Sequence, residues 1–361
     1  MRNRRWLAVI IPIFLLIQTP AQAATAVPDV SAQAYILYDA ESGTVLAASN
    51  DEQRLPCAST TKIMTALVVL DTLPLDTCVT ITAEQVRVEG SRMYLRVGET
   101  VTVSDLLYGL LLASGNDAAL ALAEAAAGST EQFAAQMNRK AAELGLNHTH
   151  FTNPSGLHEP EHYTTARDLA VLMAAAMQNP VFAAMTGTRE AVLTGRTVVN
   201  HNKLLHQVNG VDGGKTGYTK AAGRCLVSTA RRCNRRLIAV TLNAPDDWND
   251  HARLYAYGFA QYQPTLLSEG IICDTRLTLV GGSEASVALR ADRVEVWLTH
   301  DEQQQLTQTI FLPHFEYAPL RQNCAVGQIL WQINGRTVAS AELRTVETVP
   351  GDFPVVDLKQ Y

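Results

Sequence analysis

The stretch Ser59-Thr60-Thr61-Lys62-Ile63-Met64-Thr65-Ala66-Leu67-Val68-Val69-Leu70 sets its apolar residues Ile63, Ala66, Leu67 and Leu70 at i, i+3, i+4 and i+7. That spacing predicts a core helix that buries one face and begins at a serine. Positions three apart share a helix face, so the Ser59 hydroxyl and the Lys62 amine come within hydrogen-bond reach. A serine hydroxyl is a poor nucleophile until a neighbouring base takes its proton. A lysine can take it once burial and a nearby cation lower its pKa. The free N–H groups of a helix start can also face a developing oxyanion. Alone the S-x-x-K box says little: about one is expected by chance in a chain of this length, and a serine there is also an ordinary helix cap.

Outward from this helix, 34–39 and 45–49 read as two strands around the turn residues Glu41-Ser42-Gly43. Downstream, Ser104-Asp105 is expected to cap a second apolar helix through Leu112. Asn116-Asp117 opens an alanine-rich one through Ala127, closed by Gly128, and the break Ser114-Gly115-Asn116 separates the two. Further helices are expected over 131–144, ending at Gly145, and over 165–177. From Lys215 the pattern changes to strands at 223–230 and 237–242, followed by a last helix near 250–262. The joining arginines Arg231, Arg232, Arg235 and Arg236 read as a solvated turn. Sheet is thus made from both ends of one domain. Beyond Gln263 come short runs at 276–280, 286–289, 293–298, 307–312 and 337–342, the pattern of a small β-rich domain.

A chain of 361 residues suits two domains, expected at 24–264 and 265–361. A hydrophobic share of 47% with 18% charged residues describes a folded globular protein. A net charge of -6 offers no footprint for nucleic acid. Arg2, Arg4 and Arg5, the apolar run 6–17 and the triplet Ala21-Gln22-Ala23 read as a secretory signal over 1–23, cleaved before Ala24. The expected location is therefore extracytoplasmic: cell envelope, periplasm or medium, where disulfides are permitted.

Of the six cysteines, Cys225 lies at the far end of the first expected hairpin strand and Cys233 in the turn, beyond disulfide reach. Cys273 with Cys324, both in the smaller domain, is the expected bridge. No C-x-x-C occurs, and His148, His150, His158 and His162, which could suggest a metal site, flank the stretch 153–157, so no metal or cofactor is expected. The stretch 345–361, with Pro350, Gly351 and Pro354, lacks the amphipathic helix that would support lying on a membrane surface.

Two further boxes follow the first. Ser114-Gly115-Asn116 is weak alone, whereas Lys215-Thr216-Gly217, at the beginning of an expected strand, is more specific. In order and context, S-x-x-K, S-x-N and K-T-G form the signature of penicillin-binding proteins and serine β-lactamases. The stretches 58–66, 112–118, 153–157 and 213–219 (Gly213-Gly214-Lys215-Thr216-Gly217-Tyr218-Thr219) resemble the serine-type D-alanyl-D-alanine carboxypeptidases, low-molecular-mass penicillin-binding proteins of peptidase family S11. The resemblance covers most of 34–262. It implies an α/β, serine β-lactamase-like transpeptidase fold, an antiparallel sheet flanked by helices, with a small C-terminal β-rich domain.

The resemblance also implies roles. Ser59 attacks the carbonyl between two terminal D-alanines of a peptidoglycan stem, and Lys62 is its base. Ser114 relays a proton to the leaving nitrogen, Asn116 holds Lys62 and the substrate amide, and Lys215 keeps Lys62 neutral. Thr216 and Thr219 bind the terminal carboxylate beside Gly217, and the N–H groups of Ser59 and Tyr218 form the oxyanion hole. β-Lactam antibiotics would acylate Ser59. A DD-endopeptidase would carry the same boxes, as would a serine β-lactamase, although the E-x-x-L-N loop of class A enzymes is absent between the second and third. A silent wall-binding protein would have no need of Ser59, Lys62 and Lys215 together.

Overall fold

The computed structural model describes residues 6–12, 26–233 and 235–352. The chain divides into two compact units, Thr25–Ala260, and Gln261–Tyr361 grouped with Met1–Ala24.

In the first unit five strands form one antiparallel sheet in the order Val45–Ser49, Ala34–Asp39, Arg235–Leu242, Gly223–Arg232, Val211–Thr219. The opening hairpin lies at its expected bounds, and its first strand pairs with the far end of the unit, Ile36 opposite Val240. Successive side chains point to opposite faces of a strand. Ile238, Val240 and Leu242 join the helical core with Ile36 and Val227. Leu237 faces the helix Asp247–Ala260, whose Gly258 approaches so closely that a Cβ would lie 2.7 Å from both Leu237 and Leu37. Both faces of the sheet are therefore covered, as expected for an α/β unit.

The helical layer holds Lys62–Thr72, Val103–Leu111, Asn116–Ala127, Thr130–Glu143 and Ala166–Ala176. Gly128 closes the third of these at φ 84, as its position in sequence suggests. The second is capped by Thr102, whose side chain accepts from Asp105 N, so the expected cap Ser104 is already inside the helix. The arginine turn also differs. Both flanking strands run on to Arg232 and from Arg235, and Arg235 is buried with Nη1 donating to Asp39 Oδ2 at 2.9 Å. A carboxylate waiting at the end of the neighbouring strand draws that arginine inward.

The strand bearing Lys215-Thr216-Gly217 starts at Val211 rather than at the lysine. Gly213 and Gly214 conceal it, because glycine is depleted in strands. Gly214, at φ 145, is needed here: a Cβ would meet Val227 O at 2.4 Å.

The second unit is a seven-stranded sheet in the order Trp6–Pro12, Leu306–Pro313, Ala325–Ile333, Arg336–Thr345, Ser286–Leu298, Gln263–Val280, Glu316–Tyr317. Its core gathers Val287, Leu289, Ile329, Trp331 and Leu343. The expected short runs are pieces of longer strands: 286–289 and 293–298 are one, and 276–280 ends another. Ala325–Ile333 is a further strand, whose apolar pattern Gly327 and two glutamines interrupt.

The expected Cys273–Cys324 bridge is not formed. Cys324 is free, and Thr345 N donates to its carbonyl. In sheet order its strand is three spacings from that of Cys273, on the order of 14 Å and beyond disulfide reach. The side chain at 273 lies outside the described residues. Cys225 is buried and Cys233 exposed, and both are free. The expected cleavage point before Ala24 also lies outside the described residues. Within the expected signal, Trp6–Pro12 forms a strand antiparallel to Leu306–Pro313. Among the described residues no single helix is long and apolar enough to cross a membrane.

Candidate active site

Ser59 does not begin the α-helix. Ala58–Thr61 form a 3-10 turn, and the α-helix starts at Lys62. Neither element has a side-chain cap at its N-terminus, and Ala58 sits at φ 47. Part of the turn's geometry is local, with Thr60 N and Oγ1 both donating to Cys57 O, and the rest comes from tertiary partners.

Lys62 is buried, with Nζ 2.8 Å from Ser59 Oγ, 2.7 Å from Asn116 Oδ1 and 2.6 Å from Ser155 O. Which way these bonds run can be worked out. Asn116 Nδ2 donates to Glu89 O at 2.6 Å, so the oxygen of that amide faces Lys62 and only accepts. Ser155 O also only accepts. A neutral amine has two protons and one lone pair, so both protons go to these oxygens and the lone pair is left for the Ser59 hydroxyl proton. Burial, then the Lys215 charge, hold the Lys62 pKa well below the ordinary lysine range, the state this arrangement needs.

Ser114, at φ 58, lies in the break before the helix Asn116–Ala127. The neighbouring Asp117 fixes that break, its carboxylate accepting the N–H groups of Met93 at 3.0 Å and Leu95 at 3.1 Å. Lys215 is buried in the edge strand, with Nζ donating to Thr216 O at 2.9 Å and its pKa pulled to about 7 by burial. Gly217 brings this strand against the nucleophile turn: a Cβ there would lie 3.0 Å from Ser59 N and 3.1 Å from Cys57 O.

A cavity of about 540 Å³ opens between these elements, lined by Ser59, Ser114, Asn116, Thr216, Gly217, Tyr218 and Thr219 among others. That size suits a peptide end. Lys62 and Lys215 stand behind its wall rather than in it. All nine residues singled out from sequence thus converge on one site.

Several groups at the site go unmarked by the three boxes. Arg224 lies across the hairpin from Tyr218, and its Nε and Nη2 donate to Asp247 Oδ1 at 3.1 and 2.7 Å while its guanidinium stacks 5.6 Å from the Trp248 ring. The hairpin register would have pointed to it. Arg253, on the helix Asp247–Ala260, pairs with Asp250 and Asp246. Ser155 and Glu89 act through backbone carbonyls, which leave no mark in a side-chain pattern. Among the described residues no three His, Cys, Asp or Glu side chains converge as a metal site.

Comparisons with known proteins follow the same lines. A model of the D-alanyl-D-alanine carboxypeptidase family, peptidase S11, matches residues 21–246. The chain is 32% identical over 331 residues to the D-alanyl-D-alanine carboxypeptidase DacF of Bacillus subtilis, covering 88% of this chain and 85% of that one. It is 34% identical to DacC of Escherichia coli over 348 residues, with coverages of 91% and 87%. Penicillin binding protein 5 from Haemophilus influenzae superposes with a TM-score of 0.65 at 31% identity, over 90% of this chain and 98% of that one.

Proposed function

The chain belongs to the D-alanyl-D-alanine carboxypeptidase family and is a serine-type enzyme of that kind, and from this premise we propose that it trims the terminal D-alanine from peptidoglycan stems through an acyl-enzyme on Ser59. In the proposed first step the Ser59 proton passes to Lys62 Nζ while Oγ adds to the carbonyl of the penultimate D-alanine. The N–H groups of Ser59 and Tyr218 receive the oxyanion. Collapse breaks the peptide bond, and D-alanine leaves as the free amine after protonation through Ser114. Water then adds to the ester and regenerates the serine.

The observation that carries this reading is the arrangement at Lys62: two acceptor-only oxygens take both protons of a neutral amine and leave its lone pair to Ser59. Thr216 and Thr219 offer hydroxyls to the substrate carboxylate, and Arg224, held by Asp247 and Trp248, adds a cation at the same end of the cavity. β-Lactams, which present an amide beside a carboxylate, would enter the same way and acylate Ser59. The substrate places the work outside the cytoplasmic membrane, in keeping with the expected signal.

Incubation with a stem pentapeptide and with its C-terminal amide tests the proposal. Release of D-alanine from the acid, and at least about a hundred-fold less from the amide, is expected, because a site built for a charged group rejects the analogue lacking it. Equal turnover of both would contradict carboxylate recognition. Faster cleavage of cross-linked muropeptides than of pentapeptide would reassign the enzyme as an endopeptidase.

A further inference from the structure

We propose that His162 is a positioning residue for the reaction at Ser59, holding the Ala58–Thr61 turn in its working geometry through the Thr61 hydroxyl. This rests on the acylation reading above and extends it to a residue that touches neither substrate nor nucleophile.

The turn has no side-chain cap of its own; beside the edge strand brought in by Gly217, one loop, 152–162, holds the turn and the start of the helix that follows it. Thr65 Oγ1 donates to Pro154 O at 2.7 Å, and Lys62 reaches Ser155 O. Gly156 lies against the turn so closely that a Cβ would meet Ala58 O at 1.9 Å. His162 closes this set, with Nε2 2.8 Å from Thr61 Oγ1. Thr61 sits between the nucleophile and its base in sequence, so a displaced Thr61 displaces both.

The hydrogen bonds have a fixed direction. The backbone N–H of Thr152 can only donate, and it points at His162 Nδ1 at 3.1 Å. Nδ1 is therefore the bare nitrogen, Nε2 carries the proton, and Nε2–H donates to Thr61 Oγ1. The Thr61 proton is then free for Cys57 Sγ, 3.3 Å away. A directed chain thus runs from Thr152 through His162 and Thr61 to Cys57, two residues before Ser59. A histidine that merely filled the core beside Phe151, its ring 5.6 Å away edge-on, would need no acceptor at one nitrogen and donor at the other.

The chain demands a neutral imidazole, and burial lowers the His162 pKa to about 4. Glu159 favours the cation, whereas His150, His158 and Lys62 oppose it. Protonation would set two donors face to face at Thr152 N and open the clamp, so acylation should fall through that pH in a way that depends on residue 162.

The test is stopped-flow acylation by a fluorescent penicillin, separating the acylation rate constant from the binding constant, for the full chain and for His162→Gln, His162→Phe, Thr61→Val and the Thr61→Val/His162→Phe pair. His162→Phe and Thr61→Val are each expected to slow acylation about ten-fold or more with binding changed less than about two-fold, and the double variant to be no slower than the worse single. His162→Gln, which keeps an amide donor, is expected to restore most of the rate and to lose the part of the acid decline that titrates near pH 4, leaving the limb set by Lys62. Near-normal acylation in Thr61→Val, or losses that multiply in the double variant, would overturn the proposal even if His162→Phe fails to fold. No acylation of the unaltered protein would instead sink the Ser59 reading and this inference with it, whereas acylated wild type with unchanged variants sinks this inference alone.

Discussion

Burial strips Lys62 of water and the Lys215 charge opposes a second cation nearby, so Lys62 gives up its proton well below the range of an exposed lysine. Because the base must be neutral, acylation should rise with pH through that lowered pKa. Lys215→Gln removes one of the two causes and lets the Lys62 pKa climb. The rising limb of the pH profile of acylation should then move to higher pH, with a loss of about ten-fold or more at neutral pH. An unmoved limb would mean that Lys215 acts on substrate alone. At this scale the sequence was informative where side chains do the work: three-residue spacing joined Ser59 to Lys62, and three ordered boxes found Asn116 and Lys215. It was silent about Ser155 O and Glu89 O, since any residue supplies a carbonyl, and about Arg224, which is placed by pairing across a hairpin.

Elements meet at this site through glycine. Gly217 lets the edge strand touch the nucleophile turn, and Gly217→Ala would drive a methyl against Ser59 N and Cys57 O. The strand is expected to shift by a few tenths of an ångström, enough to cost about ten-fold in acylation while the melting temperature changes little. A variant that acylates normally would show that the contact yields. Elsewhere the buried pair Asp39–Arg235 ties two neighbouring strands, and Arg235→Met leaves a carboxylate with a lost partner. Denaturant unfolding should show a loss of about 3–5 kcal/mol, and a loss under about 1 kcal/mol would place that pair in water. Element bounds were legible where the pattern was strong, as in the opening hairpin and the Gly128 helix end. They failed at the Val211 strand, where glycines conceal a strand, and at Arg235, where a charge on another strand decides burial.

For the catalytic unit as a whole, the two most shifted histidines weaken the fold at acid pH. His162 and His251 have folded pKa values of about 4 and about 3, both lowered first by burial, against 6.5 when unfolded. His251 sits between Ser228 Oγ at 2.7 Å and Thr241 Oγ1 at 3.0 Å, joining two strands under the last helix. Below pH 6.5 the unfolded chain binds protons that the folded chain refuses. Stability is thus full above pH 6.5 and lost as pH falls towards 3 to 4, with a slope of up to about 1.4 kcal/mol per pH unit for each histidine. Thermal melts from pH 7 to 4 should decline accordingly, and His162→Gln should flatten part of the decline; a flat wild-type profile would contradict it. The division into a motif-rich unit and a β-rich one was legible from the change of pattern after Gln263. The strand lengths of the smaller unit were not, because long half-exposed strands break their apolar alternation with polar residues.

Acyl transfer at Ser59 is the central claim, and peptide mass spectrometry after exposure to penicillin tests it most directly. The penicilloyl mass should appear on the peptide containing Ser59, in about one equivalent per chain, and should be missing from Ser59→Ala. An adduct on another residue, or none on the native protein, would contradict the account.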